Sequence, residues 1–220
     1  MRRKHRIFLL SPASLAGIRA GYVTNANSQL DLACRLRQNG VSLGELFSFI
    51  SGLYFRGKLA YAKRFAVPPA AISGSFVITT TSGLLAPETV VKLEQLLEFA
   101  TNGIDARDPR YRHPLDRDAR GLSEQLAENG EAVLLGSIAT PKYVEPLLQI
   151  FEERLLFPAE FVGRGDMSRG GLMLRCAEAG KELTYVPVLN ASRQGPRPPK
   201  LSPLVRHGNR MAVSDNARRE

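Results

Sequence analysis

Short apolar runs recur along this chain, each followed by a turn of small residues and then by a segment whose apolar residues have helical spacing. Runs of this kind are typical of strands buried on both faces of a sheet, and their alternation with helices predicts parallel pairing. We therefore predict an α/β fold, a three-layer α/β/α sandwich with a mainly parallel central sheet of about five or six strands. The predicted strands cover residues 7–10, 46–50, 75–80, 132–135, 155–157 and 183–188, the last at an edge because it contains Pro187.

Helical spacing of apolar residues predicts the segments that connect these strands. Ser28 is a candidate cap for the first helix, and Pro141 stands at a favoured first helical position. The stretch 101–118 has balanced arginines and aspartates, so we predict a solvated loop that leads into a helix. The predicted helices cover residues 29–38, 53–65, 87–99 and 114–128, with another beginning at 141.

The net charge of +9 lies at the two ends of the chain. Residues 1–6 contain four basic residues and no acid, and residues 193–220 are also basic, whereas between these ends basic and acidic residues are equal in number. We predict a basic N-terminal arm at 1–6, a single α/β domain at 7–190 and a Pro-rich basic C-terminal arm at 191–220 that is disordered. Such arms suit weak, salt-sensitive attraction to polyanions, and they equally suit solubilising tails.

Cysteine usage and hydropathy indicate a protein of the reducing cytoplasm. Cys34 and Cys176 lie far apart and form no CxxC pair, so neither a disulfide framework nor a zinc site is predicted. The apolar run 7–10 is too short for a signal peptide, and no run is long enough to span a bilayer, so we predict no contact with membranes. The pattern indicates nothing about the oligomeric state.

A glycine-rich turn follows the predicted strand 155–157 and leads into a helical segment. Glycines allow positive φ angles and close approach of a ligand, and a helix start offers unpaired amides, which together favour anion binding. Arginines add bidentate contacts to phosphate. The candidate phosphate-binding residues are Gly163, Arg164, Gly165, Ser168 and Arg169.

Two carboxylates near this turn are candidate catalytic groups. Asp166 and Glu160 could each position a water molecule or stabilise a developing sugar cation. The alternative is an ordinary strand-to-helix turn in which Asp166 or Ser168 only caps the helix.

Small hydroxyl-bearing turns follow other predicted strands, at the place where open α/β sheets commonly bind ligands. Ser11, Ser82, Ser137 and Thr140 lie in these turns. We expect them to bind substrate, because hydroxyl and backbone amide groups suit phosphate, sugar or base.

Polar and aromatic residues line up on the predicted helix 53–65, where Tyr54, Lys58 and Tyr61 share one face. Tyrosines beside a lysine can stack on bases and contact phosphate, so Tyr54 and Lys58 are candidate substrate-binding residues. The alternative is that the tyrosines are packing residues with a hydroxyl in contact with water.

Several common catalytic and cofactor motifs are absent. The glycine-rich turn matches neither the P-loop nor the dinucleotide fingerprint. The chain contains no GxSxG elbow and no HExxH, and its only histidines are His5, His113 and His207. These absences disfavour a Ser-His-Asp enzyme and a histidine-ligated metal, so we predict neither a metal nor a cofactor.

Four segments carry a resemblance to known proteins: 51–66 (SGLYFRGKLAYAKRFA), 76–88 (FVITTTSGLLAPE), 133–148 (VLLGSIATPKYVEPLL) and 164–175 (RGDMSRGGLMLR). In their order and local texture they resemble small uncharacterised α/β proteins similar to the uracil-DNA-glycosylase-like domain of archaeosine synthase, over residues 46–175. The resemblance implies a pocket related to nucleobases or nucleic acids. It does not carry over glycosylase activity, because the acidic water-activating motif expected near Ser11 and the late histidine-containing loop are missing.

Two functions fit these observations. In the first, the protein is an enzyme or degenerate enzyme that acts on nucleotides or nucleic acids, with glycosidic-bond chemistry as the most concrete form. In the second, it is a non-catalytic binding or scaffold protein whose basic tails contact nucleic acid or a partner.

Overall fold

The computed structural model describes residues 4–201 of the chain. The strands within these residues are β1 (Arg6–Leu10), β2 (Val41–Ser42), β3 (Ser75–Ile78), β4 (Leu84–Leu85), β5 (Val90–Val91), β6 (Glu131–Leu135), β7 (Leu155–Pro158) and β8 (Tyr185–Pro187). A six-stranded sheet has the order β4-β3-β1-β6-β7-β8. In it β1, β3, β6 and β7 are parallel, whereas β4 and β8 pair antiparallel at the two edges. β2 and β5 form a separate antiparallel pair.

Helices flank this sheet and close the core with their apolar faces. They are α1 (Ile18–Thr24), α2 (Asp31–Gln38), α3 (Leu43–Ser51), α4 (Leu53–Phe65), α5 (Leu93–Thr101), α6 (Pro109–Gln125), α7 (Pro141–Phe151) and α8 (Asp166–Ala179). α4 packs against α8, and α6 packs against α7. The mostly parallel sheet between helices confirms the predicted α/β fold class.

The two central strands are buried because both faces of the sheet are covered. Residues 7–10 of β1 and 132–135 of β6 have no exposed surface, which explains why their sequences are continuous apolar runs rather than alternating ones. Leu10 pairs with Leu135 on one side and with Val77 on the other. The residues that follow these strands therefore come together at the carboxyl edge of the sheet.

The prediction of a strand at 46–50 is wrong, because these residues lie in α3. Ser42 caps this helix, and its hydroxyl accepts a hydrogen bond from the amide of Glu45 at 3.4 Å. The Ser-x-x-Glu spacing is the signature of a capping box, and Leu43 and Phe47 follow helical spacing on the buried face. The apolar run alone could not separate a strand from a buried helix.

Three other helices begin at places that differ from the prediction. The helix predicted at 29–38 begins at Asp31, and its N-cap is Leu30 rather than Ser28. The predicted helix 87–99 begins only at Leu93, because Val90–Val91 pairs with β2. α6 begins well before 114, since Asp108 caps it and Pro109 occupies its first turn. Residues 109–113, which the prediction assigns to the loop, are therefore helical.

Part of each predicted arm lies within the described residues, namely 4–6 of the N-terminal arm and 191–201 of the C-terminal arm. Lys4 and Arg6, which the charge pattern assigns to the N-terminal arm, donate hydrogen bonds to the buried Glu131. Of the predicted C-terminal arm, the part up to Leu201 is described and has no helix or strand after residue 190. The rest of both arms, residues 1–3 and 202–220, lies outside the described residues. No helix within residues 4–201 is long and apolar enough to cross a membrane.

Candidate functional site

A cavity of about 470 Å³ opens at the carboxyl edge of the sheet. Ser11 after β1, Thr79 and Thr80 after β3, and Ser137 after β6 line it. The chain passes from β1 to β3 on one side and later crosses to β6 on the other, so the strand order reverses at β1. Open α/β sheets bind ligands in the crevice at such a point, and the volume lies in the usual range for small-molecule sites.

The cavity walls combine aromatic rings with polar groups. Phe47, Tyr54, Phe99 and Tyr143 supply rings from four different helices. The polar lining residues are Ser11, Ser14, Ser51, Thr79, Thr80, Asn102 and Ser137, and the charged ones are Lys142 and Asp166. Rings with a few placed polar groups suit a flat ligand that has donors and acceptors at its edge.

Two glycines allow α4 and α8 to cross in close contact. A Cβ atom on Gly57 would lie 2.6 Å from the carbonyl oxygen of Gly170, and a Cβ atom on Gly170 would lie 2.7 Å from the carbonyl oxygen of Leu53. Backbone therefore lies against backbone, and neither helix has room for a side chain at this point. The crossing places Tyr54 and Lys58 of α4 beside the first turns of α8.

The side chain of Lys58 is buried and reaches the end of β1. Its Nζ donates to the carbonyl oxygen of Ser11 at 2.8 Å and to the Oγ of Ser11 at 2.7 Å. The same nitrogen lies 3.9 Å from the centre of the Tyr54 ring. Burial lowers the pKa of Lys58 to about 7, because the charged form loses its hydration; the negative charge of Asp166 opposes this effect and the positive charge of Arg169 adds to it.

The two tyrosines of α4 differ in how their hydroxyl groups are satisfied. The Tyr54 hydroxyl is buried at the cavity wall near the guanidinium of Arg169 and the hydroxyl of Ser11, but no group within the described residues meets it with hydrogen-bond geometry. Burial raises its pKa to about 12, and the positive charge of Arg169 opposes this effect. The Tyr61 hydroxyl lies 2.6 Å from that of Tyr185 and accepts a hydrogen bond from the amide of Leu183 at 2.8 Å. A buried hydroxyl without a partner costs about 1–3 kcal/mol, so the Tyr54 hydroxyl is a candidate for contact with a ligand.

The glycine-rich turn brings Asp166 to the cavity. α8 begins at Asp166, with Gly165 as its N-cap, and no side chain caps it. The main-chain amides of residues 166–168 donate no backbone hydrogen bond within residues 4–201. The exposed carboxylate of Asp166 lines the cavity together with Ser11 and Ser137.

Main-chain carbonyl groups engage the two arginines of this turn. The guanidinium of Arg164 donates to the carbonyl oxygen of Glu160 at 3.0 Å. That of Arg169 donates to the carbonyl oxygen of Phe161 at 3.1 Å and to that of Gly136 at 3.4 Å. These bonds hold the turn against β6 and leave fewer N–H groups for a phosphate; a phosphate contact by either arginine stays a prediction.

A C-terminal segment covers one side of the turn. Gly163 has a φ angle of 72°, and a Cβ atom there would collide with the carbonyl oxygen of Pro196. Arg164 also donates to the carbonyl oxygen of Pro199 at 3.4 Å and to the hydroxyl of Ser168 at 3.2 Å. The glycine therefore serves a close chain crossing, and its left-handed backbone would strain any other residue.

The five candidate phosphate-binding residues and Lys58 are not part of the cavity lining, and three further candidates, Glu160, Ser82 and Thr140, also lie outside it. The carboxylate of Glu160 accepts hydrogen bonds from the amide of Thr184 at 3.0 and 3.2 Å, next to the edge strand β8. The amide of Ser82 donates to the Thr79 hydroxyl at 3.0 Å, and Thr140 is the N-cap of α7 without a side-chain hydrogen bond. The candidates that the structure brings to one place are Ser11, Tyr54, Lys58, Ser137 and Asp166.

Most lining residues were not among the sequence candidates, and two polar ones, Lys142 and Asn102, show why. Lys142 follows Pro141 in the first turn of α7, just after the turn that follows β6. Its position after a predicted strand is the sequence signal that could have identified it as a binding residue. Asn102 is the C-cap of α5. Nothing in the local sequence distinguishes it from a capping residue.

A second depression, of about 700 Å³, adjoins the cavity at Asn102. Arg110, His113 and Arg117 of α6 line it together with one glutamate. Both arginines also pair with neighbouring aspartates. The hydroxyl of Thr81, in the same lining, is buried without a hydrogen-bond partner within the described residues.

Residues 4–201 contain no group of three histidine, cysteine, aspartate or glutamate side chains that could hold a metal ion. No family model, no curated protein and no solved structure matches the chain.

Proposed function

We propose that the cavity at the carboxyl edge binds a nucleoside or nucleotide. The observation that carries this proposal is the meeting of four aromatic rings with hydroxyl and amide groups in one cavity of about 470 Å³. A nucleobase is flat, stacks on aromatic rings and presents donors and acceptors at its edge. The resemblance to the uracil-DNA-glycosylase-like domain of archaeosine synthase favours the same class of ligand.

The polar groups divide between the parts of such a ligand. Asn102 and Ser137 supply a donor and an acceptor each for the edge of the base or for sugar hydroxyls. The buried Tyr54 hydroxyl gains a partner when the ligand binds, which removes the cost of leaving it unpaired.

A phosphate group on the ligand has a place beyond Asn102. The adjoining depression carries Arg110, His113 and Arg117, and a phosphate can draw on the guanidinium groups of its two arginines. A nucleotide or the end of a single strand would therefore lie with its base in the cavity and its phosphate in the depression.

For the chemistry we propose hydrolysis of the glycosidic bond, with Asp166 as the group that orients the attacking water. Its carboxylate is exposed at the cavity and forms no ion pair within the described residues. A carboxylate in this position can accept a proton from water and stabilise the positive charge that develops on the sugar. Glu160 is bound to Thr184 and has no part in this step.

Binding of nucleobases, nucleosides and mononucleotides, measured by calorimetry, tests the proposal. We expect at least one class to bind, and each of Asn102→Ala and Ser137→Ala to weaken it roughly five- to tenfold, as for one lost hydrogen bond. Matched controls outside the cavity are Asn39→Ala, also a helix C-cap, and Ser48→Ala. Absence of binding by every class at millimolar concentration would contradict the proposal.

The chemical step has its own readout, the release of free base measured by chromatography. Asp166→Asn is expected to reduce release roughly a hundredfold while binding is kept, because the amide cannot accept the proton from water. Glu178→Gln, at the far end of the same helix and exposed, is the control. If nucleosides bind but no free base is released from any of them, the proposed hydrolysis is wrong and the protein is only a binding protein.

We also propose that the protein works in a reducing cytoplasm. Cys34 and Cys176 are both free thiols, which suits a compartment in which disulfides do not form. Thiol alkylation in intact cells followed by mass spectrometry would check this location.

A further inference from the structure

An amine without a carboxylate partner lies buried next to the cavity. Lys58 is 1% exposed, and its hydrogen bonds within residues 4–201 go to the carbonyl oxygen and the Oγ of Ser11. Buried lysines are rare in proteins unless they are paired with an acid. Binding of a nucleobase does not explain why this lysine is buried without an acidic partner.

The groups that face Lys58 come from three elements. Tyr54 and Phe55 of α4 present their rings at 3.9 and 5.5 Å from Nζ. Ser11 follows β1, and the charges of α8 that act on the amine are those of Asp166 and Arg169. Burial dominates these influences and lowers the pKa of Lys58 to about 7, so a large share of the amine is neutral at physiological pH.

We propose that Ser11 is a nucleophile, that Lys58 is its general base, and that the cavity accepts a small carboxylic ester or amide. Ser11 lines the cavity, and the Nζ of Lys58 lies 2.7 Å from the Oγ of Ser11. Serine hydroxyls need an adjacent base to react, and a lysine can fill this role in place of histidine.

The geometry accommodates the neutral amine. With its ammonium form, Nζ donates both to the carbonyl oxygen and to the Oγ of Ser11. The Ser11 hydroxyl itself donates to the carbonyl oxygen of Leu135 at 3.4 Å. When the amine is neutral, one N–H keeps the bond to the carbonyl oxygen of Ser11, and the hydroxyl rotates so that the lone pair of Nζ accepts its proton over the same 2.7 Å. Gly136 makes room for this arrangement, because a Cβ atom there would lie 3.0 Å from the Cβ and 3.2 Å from the Oγ of Ser11.

The reaction balances without any further reagent. The Ser11 Oγ attacks the carbonyl carbon while its proton passes to Nζ; the bond from that carbon to the leaving group then breaks, and the leaving alcohol or amine takes the proton from Nζ. Water next attacks the acyl-serine and gives its proton to Nζ, from which the proton returns to Oγ. The products are a carboxylic acid and an alcohol or amine.

This activity goes beyond the proposed function, although both use the same cavity. It requires no nucleobase on the substrate, and it places Asp166 outside the bond-breaking step. Failure of nucleotides to bind would therefore leave it intact, and failure of Ser11 to react would leave nucleotide binding intact.

Covalent labelling of the full chain with an alkyl fluorophosphonate tests the proposal. We expect one adduct per chain in the intact mass, located on Ser11 by peptide mass spectrometry. The labelling rate should rise with pH around a midpoint near 7, where Lys58 loses its proton. This profile uses the unaltered protein and so does not depend on any variant being folded.

Two variants separate the base from a merely structural amine. Lys58→Arg keeps a positive donor but cannot accept a proton, and we expect it to slow labelling roughly a hundredfold and to abolish the pH midpoint. Ser11→Ala should remove the adduct. The controls are Lys63→Arg, an exposed position on the same helix, and Ser48→Ala, a residue of α3 that does not line the cavity.

The results that support the proposal differ from those that overturn it. An adduct on Ser11 with a midpoint near 7 that Lys58→Arg removes supports the proposal. No adduct on the unaltered protein, an adduct on another residue, or a rate that Lys58→Arg leaves unchanged overturns it.

Discussion

Two buried charged regions of this protein are built in opposite ways. At the amino edge of the sheet, the carboxylate of Glu131 accepts hydrogen bonds from Lys4 at 2.7 Å and from Arg6 at 2.9 Å, and Arg6 also pairs with Glu182. We call this set of four residues the Glu131 network. At the carboxyl edge, the amine of Lys58 is bound only to uncharged groups within the described residues.

The difference teaches which buried charges hold the fold and which stay available for chemistry. A buried charge that is fully paired holds the fold, because removing it leaves its partner unpaired. A buried amine among uncharged partners gives up its proton readily, since only desolvation acts strongly on it. The same helix shows this contrast, because Tyr61 is joined to Tyr185 and through it to Glu182, whereas the Tyr54 hydroxyl has no partner within the described residues.

The largest expected effect concerns the helix crossing that places Lys58 at the carboxyl edge. Gly170→Ala should destabilise the fold by about 3 kcal/mol, because the new methyl group meets the backbone of Leu53 and Tyr54 at 2.7 Å. Gly171→Ala is the matched control, since its methyl group would only touch Leu201 at 3.5 Å. We expect this neighbour to be neutral or stabilising by about 0.5–1 kcal/mol, as for alanine in a helix. Urea unfolding measures both, and equal effects would contradict the close crossing.

The Glu131 network should respond strongly to the loss of its central charge. Glu131→Gln leaves Lys4 and Arg6 facing a neutral amide, and we expect a loss of roughly 2–3 kcal/mol at pH 7. Glu128→Gln, in the exposed turn just before β6, is the control and should change stability by less than about 0.5 kcal/mol. If both variants unfold at the same urea concentration, the paired region does not hold the fold.

The pH dependence of stability tests the unpaired state of Lys58. The pKa of this amine is about 7 in the folded protein and near its ordinary value when unfolded, so the unfolded chain binds more protons between these values. Stability from Lys58 therefore rises with pH above 7 and is lowest below it, the opposite of a salt-bridged lysine.

We expect the stability of the unaltered protein relative to Lys58→Met to increase by roughly 2 kcal/mol between pH 7 and pH 9. Subtracting the variant removes the groups that titrate in both proteins. Lys63→Met on the exposed face of α4 should give no such slope. A relative stability that falls over this range would show a paired amine and would make the two regions alike.

The smallest expected effect separates the two tyrosines of α4. Tyr61→Phe removes the hydrogen bond to Tyr185 and leaves the amide of Leu183 without its acceptor, which should cost about 1–2 kcal/mol. Tyr54→Phe removes a hydroxyl that is buried without a partner within residues 4–201, so the stability should not fall and should rise by about 1 kcal/mol. Equal losses in urea unfolding would mean that Tyr54 is as fully satisfied as Tyr61.

The glycine-rich turn illustrates how far local pattern predicts a site. Its composition predicts a strand, a turn and a helix start, and α8 does begin there at Asp166. The purpose of its glycines was not predictable, because Gly163 meets Pro196 and Gly170 meets α4, both contacts with distant parts of the chain. Glycine frees the backbone in the same way for a phosphate, a chain crossing or a helix crossing.

The apolar run at 46–50 illustrates the opposite failure. Here a helix signal was present in the local sequence, but the strand-like apolar run outweighed it in the prediction. The capping residues Ser42 and Glu45 precede this run and mark a helix. The four apolar residues within 46–50, followed by Ser51 and Gly52, also fit a buried strand. Because the helix α3 carries Phe47 to the cavity wall, this one assignment removes an aromatic group from any site drawn from sequence.

The amino-acid sequence by itself determined the layered α/β fold and the edge of the sheet at which the cavity opens. Strands covered on both faces need continuous apolar runs, and the ends of parallel strands must meet at one edge. Only the tertiary structure decided that Lys58 meets Ser11, from which it is separated by 47 residues, and that no carboxylate pairs with it among the described residues. The protonation of a buried group depends on which distant residues exclude water around it, and that information is not contained in the spacing of its own helix.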